Sequence, residues 1–295
     1  PPPKHPPRYY VLYTTRAPAF PVTTHMKLPH TPAVQVTDPK FSLADIDPGT
    51  TSPFTTKAAA EKRLKKLRQR LNELQENLYA EHRRSLLLVF QAMDTGGKDG
   101  AIEKLLTGVN PAGVQVSSFK APSTLELNHD FLWRIHPQTP GKGHIGVFNR
   151  SHYEDVLITR VHGLIDEATW RSRYTDINNF ERLLTNNHTR ILKFFLHISK
   201  EEQAERLQAR LDDPAKRWKF DPNDLKERKY WDDYQAAYEA ALRHCSPPES
   251  PWFVVPADKK WARDLAITEI VVATLEDMNP QPPEPSYDVA AQVVE

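Results

Sequence analysis

The chain has 295 residues, a formal net charge of +1, 26% charged and 39% apolar residues, and a single cysteine. That length suits one large α/β domain or two small ones of ordinary soluble composition. The small net charge argues against a general nucleic-acid binder, so a basic site must be local. Cys245 alone excludes an intramolecular disulfide or a thiolate metal cluster and fits a reducing cytoplasm.

Residues 1–55 hold twelve of the 26 prolines, which block helix and sheet ladders alike. No acidic residue precedes Asp38, while Lys4, Arg8, Arg16 and Lys27 are basic. A disordered or loosely docked arm is expected, with a polyanion-gripping arm as the functional alternative. Over residues 56–81, Leu64, Leu67, Leu71, Leu74 and Leu78 recur at spacings of three and four, predicting an amphipathic helix. Residues 85–90, SLLLVF, read as a strand buried on both faces. A glycine loop over 92–99 and a helix carrying Ile102, Leu105 and Leu106 follow. Further strands are expected over 114–119, 143–148, 190–198 and 251–255. Ser123 and Glu126 predict a capping box on a helix carrying Leu127, Phe131, Leu132 and Arg134. Other helices are expected over 156–168, 176–186, 200–211, 223–244 and 260–277, and the Pro-rich tail, from about 282, should be loose. No apolar run approaches a membrane span and no signal peptide is evident, so a cytoplasmic protein without a membrane partner is expected.

Alternating strands and helices imply a parallel five-stranded sheet flanked by helices, with ligands bound outside the carboxyl ends of its strands. Three segments then share one site. In the first, QAMDTGGKDGAI, the order strand, glycine loop, helix aims backbone amides at Gly96 and Gly97 and a helix dipole at one spot, with Lys98 beside it. Against the phosphate-loop pattern G-x-x-x-x-G-K-[ST], this chain has Ala92 for the first glycine and Asp99 for the hydroxyl. Asp94 and Asp99 would repel phosphate unless a divalent cation lay between, which suits Mg²⁺. The plainer alternative is a glycine-rich turn capped by an Asp. The second segment joins Phe119-Lys120 to residues 149–155. Asn149 there cannot carry a metal-orienting charge, Glu154 and Asp155 could, and Arg150 suits bidentate phosphate contact. A polar turn capping the next helix is the alternative. The third, residues 206–229, holds eight Lys/Arg against five Asp/Glu. Arg206 and Arg210 share a helix face, and Lys216, Arg217 and Lys219 surround Trp218. A lid closing over a polyanion is expected, although Glu202 and Arg206 also form a simple i,i+4 surface pair.

With these pieces in order, the chain resembles the polyphosphate kinase 2 family. The resemblance rests on QAMDTGGKDGAI, NPAGVQVSSFKAPS, GVFNRSHYEDVLITRVH, RLQARLDDPAKRWKF and PWFVVPADKKWARD, and runs from about residue 56 to 281. It implies a P-loop, thymidylate-kinase-like core with a helical lid at about 206–229. It also implies reversible, Mg²⁺-dependent phosphoryl transfer between inorganic polyphosphate and a nucleotide, Mn²⁺ being an expected substitute. A homo-oligomer, dimer or tetramer, is expected, with no nucleic-acid partner. The expected catalytic residues are Asp94, Lys98, Arg150, Arg210 and Arg217. Phosphate contacts are expected from Gly96, Gly97, Lys98, Asp99, Arg206, Lys216 and Lys219, and nucleotide contacts from Lys120, Arg134, Asn149 and Arg150. Asp94, Asp99 and Glu154 are the expected metal ligands. Asn149 departs from the Asp that most of the family carries, so the ligand set is open, with Glu154 as substitute. FNRSHYEDVL resembles the class III subgroup, which implies that AMP and ADP are both acceptors. The rival readings are an ATP-dependent nucleoside monophosphate kinase, whose loop should keep Gly at 92 and a hydroxyl at 99, and a non-catalytic polyanion-binding module.

Overall fold

The computed structural model describes residues 29–294. Its strands are β1 (Val34–Gln35), β2 (Ser85–Ala92), β3 (Val114–Ser118), β4 (Ile145–Asn149), β5 (Thr189–His197) and β6 (Trp252–Pro256). The helices are α1 (Lys57–Glu81), α2 (Lys98–Leu106), α3 (Thr124–Leu127), α4 (Ile158–Val161), α5 (Glu167–Asn186), α6 (Lys200–Asp212), α7 (Pro222–Glu227), α8 (Trp231–His244) and α9 (Lys260–Met278). The strands form one sheet in the order β1-β6-β5-β2-β4-β3. β2 to β6 run parallel, as the alternation implied.

All eight residues of β2 and all five of β6 are buried, because helices flank the sheet and leave these strands no solvent face. α9 packs on β5 and β6 and buries residues all round, and the leucine stripe of α1 packs on α9 through Leu64 and its neighbours. β2 lies between β4 and β5. The chain leaves β2 for β3 on one side and passes from β4 to β5 on the other. The carboxyl end of β2 is therefore the topological switch point, where an open α/β sheet forms its crevice.

The sheet has one strand more than expected. β1 pairs antiparallel with β6, with Val34 opposite Val254 and Gln35 opposite Phe253. Val36 and Leu43 are buried. Ser42 Oγ and the Leu43 amide both donate to Glu239 Oε2, at 2.9 and 2.8 Å. The loose arm expected over 1–55 therefore does not include this stretch, which two apolar side chains and one carboxylate hold against the core. Residues 1–28 of that arm lie outside the described residues.

Four expected helices differ in extent. The capping box forms, with Glu126 N donating to Ser123 Oγ and Ser123 N to Glu126 Oε2. Yet α3 stops at Leu127, so Phe131, Leu132 and Arg134 lie in turns. The expected 156–168 helix is only the short α4. Asp166 caps α5 instead, accepting from Thr169 N at 2.8 Å, so that helix starts nine residues earlier than expected. The expected 223–244 helix is divided by a 3₁₀ turn at Arg228–Tyr230.

Docking of residues 34–45 is directly testable. Leu43→Ala should destabilise the protein by about 2–4 kcal/mol in urea unfolding, as for a buried leucine; no measurable change would mean that the stretch does not pack.

Candidate active site

Four chain segments meet the lid segment around a cleft of about 650 Å³ at the carboxyl end of β2. The phosphate loop turns tightly, with Gly96 N donating to Met93 O at 2.9 Å. A Cβ on Gly96 would stand 2.5 Å from the Ala92 Cβ. Ala92, in the position of the missing glycine, thus packs against Gly96 across the turn. Gly97 is the N-cap of α2 at φ +92°, where a Cβ would lie 2.4 Å from Arg263 Nη1. Lys98 folds back, its Nζ donating to Ala92 O at 3.0 Å. Burial and the nearby Arg150 lower the Lys98 pKa, against the pull of Asp94, Glu154 and Asp99.

β4 delivers the second group. Arg150 has φ +62°, uncommon outside glycine, and its N donates to Phe90 O at 3.0 Å. This turn sends its guanidinium to Asp94, with Nη2 3.0 Å from Oδ1. Asn149 Nδ2 donates to Asp99 Oδ1 at 2.6 Å. Burial raises the Glu154 pKa, while Arg150 and Lys98 oppose the rise. Lys120 lines the cleft. Arg134 does not: its side chain is largely buried, donates to Lys120 O at 2.7 Å and lies over the Phe119 ring. The expected nucleotide contact from Arg134 is corrected to a brace behind Lys120.

The lid segment supplies Arg206, Arg210, Lys216 and Lys219 to the cleft. Arg206 is anchored rather than free, donating to Glu202 Oε1 (2.7 Å), Thr95 O (3.2 Å) and Ala257 O (2.6 Å). Arg210 is held by Lys219 O (2.9 Å) and Asp224 Oδ2 (3.2 Å). Burial and repulsion from Asp94 push the Asp224 carboxyl up to about 6. Lys216 pairs with Asp213 at 2.7 Å. Arg217 is the exception. It is exposed, donates through Nε to Leu211 O at 2.8 Å, and does not line the cleft. The 3₁₀ turn at Arg217–Lys219 sends Lys219 inward and Arg217 outward.

The carboxylates fit Mg²⁺ as a partial shell. Among the described residues no three His, Cys, Asp or Glu side chains converge as a cage, so the three-carboxylate set is not preformed. Asp99 is engaged by Asn149 and Asp94 by Arg150, and Asp94 and Glu154 both line a smaller cavity of about 220 Å³ beside the cleft. One or two carboxylates completed by phosphate oxygens is the usual arrangement for this ion.

Two cations were not expected. Lys260 and Arg263 enter the cleft from α9, and Arg263 Nη1 donates to Gly97 O at 3.2 Å while its Nη2 holds Asp264 at 2.6 Å. The signal was present in PADKKWARD, which follows the carboxyl end of β6. Applying the strand-end rule to that strand would have found it. Because Gly97 is both left-handed and pressed against Arg263, Gly97→Ala should weaken tripolyphosphate binding about tenfold or more by calorimetry, combining about 1–2 kcal/mol of backbone strain with displacement of the guanidinium. Unchanged binding would show that the loop is not the anion seat.

The model of the family described as polyphosphate kinase 2 matches residues 55–283. The chain is 51% identical over 259 residues to the AMP/ADP-polyphosphate phosphotransferase of Meiothermus ruber, covering 88% of this chain and 97% of that protein. It is 51% identical over 228 residues to the ADP-polyphosphate phosphotransferase of Rhodopseudomonas palustris, covering 73% and 79%. The crystal structure of polyphosphate kinase 2 from Arthrobacter aurescens TC1 superposes with a TM-score of 0.84 at 46% identity, covering 88% of this chain and 96% of that one. A variant phosphate loop at the switch point, a basic lid segment over it and these matches lead to one conclusion: the chain belongs to the polyphosphate kinase 2 family.

Proposed function

We propose that this protein transfers the terminal phosphoryl group of inorganic polyphosphate to AMP and ADP, reversibly and with Mg²⁺. The observation that carries this reading is the charge of the cleft. Nine Lys or Arg and four Asp line it, an excess of five positive charges in a chain whose net charge is +1. So concentrated a field suits a ligand that is itself a run of phosphates. The relative from Meiothermus ruber, named for both AMP and ADP, supports the pair of acceptors.

In this reading an oxygen of the acceptor's terminal phosphate attacks the end phosphorus of polyphosphate. The new P–O bond forms as the anhydride P–O bond to the shortened chain breaks. The acceptor oxygen is already ionised, so no strong general base is needed, and the protein's part is alignment and charge compensation. The loop amide at Gly97 and the Lys98 ammonium face the transferring group, while Gly96, its amide bonded to Met93 O, lets the loop turn tightly beneath it. Arg150 is turned toward it and restrained by Asp94. Arg210, Lys216 and Lys219 hold the polyphosphate from the lid, and Arg206, Lys260 and Arg263 hold it from beneath the loop. Asp94 and Glu154 would hold Mg²⁺, which when bound offsets charge on the phosphate oxygens; Mn²⁺ is the expected substitute. Arg217 has no role here. Against an ATP-dependent monophosphate kinase stand Ala92 and Asp99 in the loop.

Among the described residues no helix is long and apolar enough to cross a membrane. A cytoplasmic homo-oligomer, dimer or tetramer, without a nucleic-acid partner completes the proposal.

Incubated with AMP, long-chain polyphosphate and Mg²⁺ but no ATP, the protein should form ADP and then ATP, separable by nucleotide chromatography. Lys98→Ala should lower that turnover about a hundredfold or more while remaining folded, since a positioned charge on the reacting group is lost. Inert AMP at high concentration would rule out the double acceptor range, and near-normal turnover of folded Lys98→Ala would remove the lysine from the mechanism.

A further inference from the structure

Directly beneath the Arg150–Glu154 turn lies a charged cluster that the reaction does not touch. Lys193, on the central strand β5, and Glu181, on α5, are both buried within the core. Lys193 Nζ donates to Glu181 Oε2 (2.5 Å), Tyr153 OH (3.0 Å) and the Cys245 carbonyl (2.7 Å), which uses all three ammonium protons. Glu181 also accepts from Tyr153 OH at 2.9 Å, Ser250 Oγ at 2.8 Å and His152 Nε2 at 3.3 Å. Burial opposes ionisation of Glu181, but the Lys193 ammonium and the His152 hydrogen bond outweigh it and hold its carboxyl at about 2. Burial lowers the His152 pKa, and the cluster is built around the Lys193–Glu181 ion pair.

We propose that Tyr153, Glu181 and Lys193 are positioning residues, a buried ion-pair network that sets the path of residues 149–155 and so holds Arg150 and Glu154 at the cleft. Three observations lead there. A buried ion pair is a poor source of stability, since apolar residues of similar volume are often as good or better, so its gain lies in fixing a geometry. The network reaches the turn through Tyr153 and His152, the two residues between Ser151 and Glu154. Ser151 Oγ accepts from Tyr153 N and from Gln91 Nε2, both at 3.2 Å, which ties the turn to the end of β2. Finally, Arg150 is left-handed, and a non-glycine residue keeps that conformation only where its neighbours over-determine it. Asn149 fixes one side of it through Asp99, and Ser151 with Tyr153 fixes the other.

This inference rests on the proposed roles of Arg150 and Glu154, so its test has one readout that needs no activity. Tyr153→Phe keeps the ring and removes the hydroxyl that touches both charged partners. In hydrogen exchange the amides of residues 150–155 should exchange about tenfold faster than in the unaltered protein, with β5 unchanged. In steady-state assays kcat should fall about tenfold or more with KM for polyphosphate within about threefold, the pattern of an interaction needed in the transition state. Leu43→Ala, a destabilised control that makes no hydrogen bond to the turn, should keep its kcat. The double variant Lys193→Met/Glu181→Met should fold and show the same loss of kcat. Wild-type exchange across residues 150–155 in Tyr153→Phe would overturn the proposal, as would a folded double variant with unaltered kcat. Rapid exchange in a protein that does not use polyphosphate would leave the positioning role standing and sink the functional reading.

Discussion

The structure depends on holding many like charges together at the end of one strand. Two unit charges about 4 Å apart repel by about 4 kcal/mol in a half-wet protein surface. The cleft carries five more cations than anions. The chain bears this by giving its guanidiniums fixed acceptors: Thr95 O and Ala257 O for Arg206, Gly97 O for Arg263, Lys219 O for Arg210. Each bond directs a charge and leaves the remaining field facing the cleft. Phosphate oxygens would relieve what repulsion is left, so binding energy is stored in the free protein as preorganised, uncompensated charge.

The same arrangement ties fold to chemistry. The phosphate loop is pressed between β2 and α9, and Arg206 and Arg263 grip it from two helices. The Arg150 turn rests on β2 through Phe90 O and on the buried Lys193–Glu181 pair below. Both elements therefore sit on rigid parts of the domain, as groups that must face one phosphorus atom require. The middle of the lid segment, residues 210–224, is held by contacts within itself, such as Arg217 on Leu211, Lys216 on Asp213 and Arg210 on Asp224, which suits a part that moves, while Arg206 anchors its base.

Much of this was legible in the chain itself. β2, the glycine loop and α2 stand out because a doubly buried strand reads as an unbroken apolar run and Gly96-Gly97 marks the turn. Strand ends then gathered Asp94, Lys98, Lys120, Asn149 and Arg150 around one crevice, with Glu154 in the smaller cavity beside it. What escaped was set by tertiary contacts. β1 has only two residues, in a proline-rich stretch without periodicity. The outward turn of Arg217 and the inward brace of Arg134 depend on single carbonyl acceptors, Leu211 O and Lys120 O, that spacing does not reveal. Lys193 sits in an apolar strand with its partner Glu181 on another element, and neither shows a local pattern.

The central claim is that the cleft selects a chain of phosphates as donor. The direct measurement is kcat/KM for phosphorylation of AMP with polyphosphate and with ATP as alternative donors, under the same Mg²⁺ and ionic strength. The account predicts a value at least about a hundredfold higher for polyphosphate, falling steeply as salt screens the exposed lid charges. Equal or better use of ATP, with little salt dependence for polyphosphate, would contradict it.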